Sequence, residues 1–293
     1  MTRTLYTLIR REYWEHRSLW IAPLAVAALM LAVSAVGRIN YQWTAAPSAD
    51  FQRSLFGLVL ISFAIPVSLT MAVVLWFYAS DCLYAERRDR SILFWKSMPV
   101  SDALTVFSKV LVVLLVAPLS VFLLNLVTSL MASGIWSARG WGSSPAATGW
   151  DTQVWLRVQG IGLVAMIVSS LWYAPVMAYV MVISAWARRA VSVWVFVPPL
   201  ALALIERVAL GTHYVWDVIV YRLVGLWRQA NLRLDMSEQM FAQGSGPGGA
   251  GREWLRHIDP AVALGNVDLW LGVAVAAVLI YAMIRIRRYS DET

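Results

Sequence analysis

Few side chains in this sequence are placed to do chemistry, and each has a plainer use. His16, His213 and His257 lie far apart, outside any His-Glu-x-x-His or Cys-x-x-Cys spacing, so the order of residues spells no metal site. Cys82 is the single cysteine, which excludes an internal disulfide and a thiolate metal cluster. There is no Gly-x-Ser-x-Gly elbow. The glycine-rich run from Gly244 to Gly251 lacks the Lys-Ser/Thr ending and the preceding strand of a phosphate-binding loop, so it reads as a flexible linker. Glu206 and Arg207 end an apolar stretch. Charge inside a membrane is costly and often functional, so they could line a path, but pairing at the boundary is the simpler use. Asp81 reads as a solvated or paired boundary residue sooner than as a proton carrier. Glu12 could join Arg11 or Arg87 in an ion-pair network, which sequence order alone does not specify.

The densest group of unusual side chains runs from Tyr84 to Lys109. It opens with Glu86, Arg87, Arg88, Asp89 and Arg90, continues with Ile92, Leu93, Phe94 and Trp95, and then reaches Lys96. A loop that only joined two membrane helices would be polar throughout. An apolar knob among paired charges fits a short helix that docks into a partner. It also fits an amphipathic hairpin resting on lipid headgroups, with Trp95 as the anchor. Pro99 ends this helix. Ser101 can N-cap the next, with Asp102 favoured in its first turn by the helix dipole.

The elements that must position these groups are membrane helices. The chain has 293 residues, 60% of them hydrophobic and 14% charged, against about 45–50% and about 25% in soluble domains. Among the 24 Lys and Arg residues only Lys96 and Lys109 are lysine, and the net charge is +7. That balance can signal nucleic acid, but the positive charge is not a stripe with interleaved aromatics. It gathers at the ends of apolar segments, as membrane topology demands. Many of the 16 Trp, including Trp20, Trp43, Trp136, Trp155, Trp186 and Trp270, fall near expected boundaries, as an aromatic belt would.

Residues 1–18 form an amphipathic helix suited to the headgroup plane, with Leu5, Leu8, Ile9 and Tyr13 on one face and Arg3, Arg10, Arg11 and Arg17 on or near the other. Glu12 and His16 fall on the apolar side and spoil the pattern. The apolar run that follows is long enough to span, so this start is expected to be retained rather than cleaved as a signal peptide. Spanning takes roughly 20 helical residues, which predicts crossings at about 19–36, 55–83, 103–133, 155–186, 191–210 and 269–287. Pro66 and Pro175 mark bends, and Pro118 and Pro198-Pro199 fall inside the third and fifth spans. The fold class is therefore an all-α membrane protein: an amphipathic helix over 1–18, then one transmembrane domain of six spans over 19–293. A charged helix over 86–98 separates spans two and three, and a helical loop over 211–267 precedes span six. Basic residues crowd the loops holding the two termini, 84–102 and 187–190, so these are expected to be cytoplasmic and the 211–267 loop outside.

This arrangement resembles the ABC-2 type permeases, the membrane subunits of one class of ATP-binding-cassette exporters. The resemblance rests on Glu86-Arg87-Arg88-Asp89-Arg90-Ser91-Ile92, on Ser97-Met98-Pro99-Val100-Ser101, on Val106 and Lys109, and on the basic-acidic pair Arg11-Glu12. Asp89-Arg90-Ser91 stands where the family often has Gly-Thr, and the 211–267 loop matches only through Asp259-Pro260. The resemblance implies that 86–98 is a coupling helix seated in a groove of a separate cytosolic ATPase. Glu86, Arg87, Arg88, Asp89, Arg90, Ile92, Phe94 and Trp95 would make that contact, with Arg10, Arg11 and Glu12 on a connecting helix against the same subunit. It further implies two permease chains, a homodimer before a heterodimer, over two ATPases that hold ATP and Mg, in the cytoplasmic membrane. This chain would carry no cofactor, would not itself be an enzyme and would bind no nucleic acid. Two other uses stay open: a stand-alone secondary carrier or channel, although no internal repeat and no buried acid is expected here, and a non-transporting membrane scaffold.

Overall fold

Inside hydrocarbon every backbone N–H and C=O must be satisfied within its own segment, so long apolar runs fold as helices. The computed structural model describes residues 2–37, 49–89, 101–139, 151–229 and 259–289. Among these the order is α1 (Thr2–Glu15), α2 (Ser18–Val36), α3 (Ala49–Asp81), α4 (Tyr84–Arg88), α5 (Asp102–Leu111), a π-helical turn (Val112–Val116), α6 (Ala117–Ala138), α7 (Thr152–Trp186), α8 (Val191–Leu210), α9 (Tyr214–Gln229), a 3-10 turn (Pro260–Gly265) and α10 (Val267–Tyr289). Six helices are long and apolar enough to cross a membrane: Ser18–Val36, Phe56–Arg88, Asp102–Ala138, Thr152–Trp186, Val191–Leu210 and Val267–Tyr289. The chain is a multi-pass membrane protein.

Helix α7 is the hub, with α10 and α3 packed along it; α2 lies against α3 and α6. The main core joins Leu19, Val67, Met71, Val106, Val113, Val180, Met181 and Met283. Side chains such as Ile65, Leu69, Phe77, Leu204 and Val278 point outward, more than half exposed. In water so much outward apolar surface would be an anomaly, whereas in a bilayer it meets lipid. Several hydroxyls within the spans turn back on their own helices, as in Thr128 Oγ1 to Leu124 O and Ser133 Oγ to Ser129 O, both 2.7 Å, which satisfies these donors inside hydrocarbon.

Helix ends follow local chemistry. Ser101 Oγ accepts from the Leu104 amide at 3.3 Å, with Asp102 in the first turn. Asp151 caps α7 through the amides of Gln153 and Val154. Ala190 is left-handed (φ 50°) at the tight turn before α8, and Gly211 (φ 67°) ends α8. The third span departs from a plain α-helix at Val112–Val116, where the Ala117 amide reaches back five residues to Val112 O.

The spans start or end a few residues away from the sequence expectation: the second covers 56–88 rather than 55–83, the third 102–138 rather than 103–133, the fourth starts at 152 rather than 155, and the sixth covers 267–289 rather than 269–287. In the 211–267 segment α9 is one amphipathic helix, and Pro260 opens a short 3-10 turn, not a full helix. Residues 230–258, including the glycine-rich run, lie outside the described residues, as do 90–100, which hold Arg90, Ile92, Phe94 and Trp95. At one end of the bundle lie α1, α4, the start of α5, the α7–α8 turn and the end of α10. At the other lie α9 and the 3-10 turn.

Candidate functional site

The site begins with a lysine that ought not to be where it is. Helix α5 buries Thr105, Val106, Ser108, Lys109 and Val110. The Lys109 side chain is only 2% exposed, and a buried ammonium is tolerable only when paired and hydrogen-bonded. Its Nζ lies 2.8 Å from Glu12 Oε1 and 3.1 Å from Glu86 Oε1. Glu12 comes from α1, where the face that carries Leu8 also carries this carboxylate, 1% exposed. The carboxylate further accepts from Tyr78 Oη at 2.9 Å on Oε2 and from Arg11 Nη2 at 2.8 Å on Oε1. His16 completes its surround, with Nε2 3.7 Å from Glu12 Oε2 and its ring edge-on to Tyr78.

Glu86 is the second hub. Its Oε2 accepts from Arg287 Nη1 at the end of α10, and Arg11 Nη2 stands 3.9 Å from Oε1. Arg287 Nε also donates to Asp102 Oδ1 at 3.2 Å, tying α10 to the first turn of α5. Three carboxylates (Glu12, Glu86, Asp102) thus face three cations (Arg11, Lys109, Arg287). Among these six the charges cancel, with the exposed Glu15 also reaching Arg11 Nε at 3.4 Å, and the cluster fastens α1, α4, α5 and α10 to one another. Burial by itself would raise the Glu12 carboxyl. Attraction and hydrogen bonding from Lys109, with Arg11 and Tyr78, outweigh burial and hold it below its ordinary value of 4.5.

A second set of bonds staples α4 to α7. The backbone amides of Leu83 and Tyr84 donate to Ser184 Oγ at 3.3 and 3.1 Å. Arg87 Nη2 donates to the carbonyls of Ser184 (2.6 Å) and Ala187 (2.8 Å). A guanidinium suits these orphan carbonyls at the C-terminal end of a helix, where the dipole is negative. Cys82, the free thiol, is buried at this junction.

The structure therefore brings together some residues expected to meet a partner and turns them inward. Glu12 and Glu86 are buried, against the expectation of no buried acid, because Lys109 and Arg287 claim them. Arg87 is spent on the end of α7, not on Glu12. Arg11 is partly buried in the cluster. Arg10 is exposed, and Arg88 and Asp89 are exposed and pair with each other at 3.1 Å. The sequence reading missed Tyr78, Asp102, Ser184 and Arg287 as site residues and held Lys109 only as part of a family pattern. One signal was available: Glu12 sits on the face of α1 that carries Leu5, Leu8 and Ile9, and Lys109 on the face of α5 that buries Val106 and Val110.

At the opposite end the charged residues have structural work. Among the described residues Glu206 makes no ion pair with Arg207 and is spent on its own turn. Its carboxylate accepts from Thr212 Oγ1 (2.6 Å) and from the amides of Tyr214 and Val215 (both 2.7 Å), capping α9. Arg222 lies over the Trp172 ring, 4.8 Å from its centroid, in the space left by Gly272. Among the described residues no three His, Cys, Asp or Glu side chains are grouped to hold a metal ion. Comparison of the chain with protein-family models, with curated proteins and with solved structures finds no match in any of the three.

Proposed function

We propose that this chain is the permease subunit of an ATP-binding-cassette transporter of the ABC-2 type, an exporter worked by separate ATPase subunits. The observation that carries this reading is the buried, balanced charge cluster. It sits at the end of the bundle from which the charged 86–98 segment departs, and it locks the root of that segment to three other helices. Removing one partner of a buried ion pair costs about 3–5 kcal/mol, so a push on this root moves α1, α4, α5 and α10 as one body instead of shearing them apart. That is what a lever needs.

In this reading both termini and the 84–102 loop are cytoplasmic, and Phe94 and Trp95 are packing anchors in a groove of the ATPase. Arg88, Asp89 and Arg90 form a charged rim. ATP closes the ATPase dimer and the levers move, and the long second and third spans carry the movement to a path between two permease chains. An ion-driven carrier would need carboxylates free to take up and release protons. Glu12 and Glu86 are instead held by fixed cations, which argues against that use.

The test is co-purification from native membranes. Phe94→Ala with Trp95→Ala should release a nucleotide-hydrolysing partner while the membrane domain stays folded, with Cys82 still shielded from thiol reagents. A partner retained at wild-type level, or no such partner at all, refutes the proposal.

A further inference from the structure

Helix α1 has a second face that the charge cluster does not use. Leu8 and Glu12 are buried and Leu5, Ile9 and Tyr13 half-buried against the bundle, while Arg3, Tyr6, Arg10 and Trp14 lie exposed along the opposite side. Tyr6 is 66% and Trp14 62% exposed. Arg17, also exposed, stands at the corner where α1 meets α2. Arg3 and Arg10 are two helical turns apart, about 10 Å. None of these three arginines makes an ion pair with a carboxylate among the described residues, although Arg11, one position along, makes three.

The depth of this face is also fixed. Trp14 packs edge-on against Trp20, ring centroids 6.2 Å apart. Trp20 is in the first turn of the first membrane-spanning helix, next to the fully buried Leu19. The first turn of a span sits at headgroup level, where Trp and Tyr settle with an apolar body and a polar tip. A face of alternating arginine and aromatic side chains at that depth meets phosphate oxygens by default, and guanidinium matches them in a bidentate fork.

We infer that the exposed Arg3–Tyr6–Arg10–Trp14 face of α1, with Arg17, is a binding surface for anionic phospholipid headgroups. This assigns Arg10 to lipid in place of a soluble partner. The inference does not depend on the transport reading. It holds for any membrane protein with this helix, and a failed ATPase pull-down leaves it untouched. Its physical meaning is that α1 is held from both sides, by the cluster within and by the leaflet without.

The full-length protein in nanodiscs tests it. A nitroxide at Trp14→Cys reports surroundings directly, because Cys82 is 1% exposed and leaves position 14 as the accessible thiol. In phosphatidylcholine with one-quarter phosphatidylglycerol (a fraction on the order used to give an anionic surface), the label should collide more with oxygen than with a water-soluble nickel chelate. The reverse order places the face in water and overturns the inference. In parallel, native mass spectrometry counts retained phosphatidylglycerol. Each arginine near an anionic surface strengthens attraction about fivefold. Arg3→Gln with Arg10→Gln and Arg17→Gln should therefore lower retention at least about tenfold, whereas Arg285→Gln with Arg288→Gln, exposed arginines on α10, should lower it less. Equal retention by wild type and the triple variant refutes it, provided Cys82 stays unreactive in both. So does equal loss in the triple variant and the α10 pair, which marks diffuse charge instead of a surface on α1.

Discussion

Replacing Lys109 by methionine is the sharpest probe of the charge cluster. The side chains are close in length, so the change removes a charge and leaves the space filled. Glu12 loses its 2.8 Å partner and Glu86 its 3.1 Å partner, and both carboxylates are then buried with a net excess of negative charge. Stripping one member from a buried pair costs about 3–5 kcal/mol. Here Glu12 keeps Arg11 and Tyr78, and Glu86 keeps Arg287, so the lower figure, about 3 kcal/mol, is expected. For a chain of this size about 1 kcal/mol moves the melting point by roughly 2–4 °C, which puts the loss near 6–12 °C. The assay is built into the protein. Cys82 is the single cysteine and is buried beside the cluster, so a thiol-reactive fluorophore reports opening of this end as temperature rises. The double variant Lys109→Met with Glu12→Gln removes one charge of each sign and should recover at least half of the lost stability. Unchanged Cys82 labelling in Lys109→Met, or a double variant as poor as the sum of its parts, would show that the cluster does not fasten these helices.

Three more perturbations read other parts of the argument. The Glu12 carboxyl titrates below its ordinary value of 4.5 in the folded protein. It therefore adds stability above that value, which is lost as the pH falls through the folded one. Glu12→Gln should flatten this acid limb in a melting-point titration, and a limb of unchanged steepness would assign it to other groups. Ser184→Ala leaves the amides of Leu83 and Tyr84 without their acceptor; a cost of about 1–3 kcal/mol is expected, seen as faster hydrogen exchange at those two amides with α2 unaffected. Glu206→Ala should loosen the start of α9, with faster exchange at Tyr214 and Val215. Protection that survives there would mean another group caps the helix.

The spans were legible because length and apolarity decide them: nothing but a helix can carry Ser18–Val36 or Val191–Leu210 through hydrocarbon. Ser101 was legible too, since a cap is written within three residues of the helix it opens. The cluster was not. Glu12 meets Lys109 across 97 positions of sequence and Arg287 meets Glu86 across 201, and no spacing rule reaches so far. The visible trace was an apparent flaw: a carboxylate on the greasy side of α1. It reads as imperfect amphipathicity until α5 supplies a lysine with the same defect. The Pro-Gly-free run Val112–Val116 gave no warning of its wide turn, because nothing in five branched apolar residues distinguishes π from α. The run of Ile92, Phe94 and Trp95 stays as the sequence presents it.

That wide turn has a bearing on what the third span can tolerate. A π turn holds one residue more than the α turn it replaces, so Val112–Val116 behaves as a stored insertion between Lys109 and the remainder of the helix. Shortening the chain by a single residue there would convert the turn to ordinary α-helix while keeping Lys109 aimed at Glu12 on one side and Val121 and Thr128 aimed at their neighbours on the other. The same deletion two turns further along would rotate everything after it by about 100°. This span therefore has one place where its length can change without changing which way it faces.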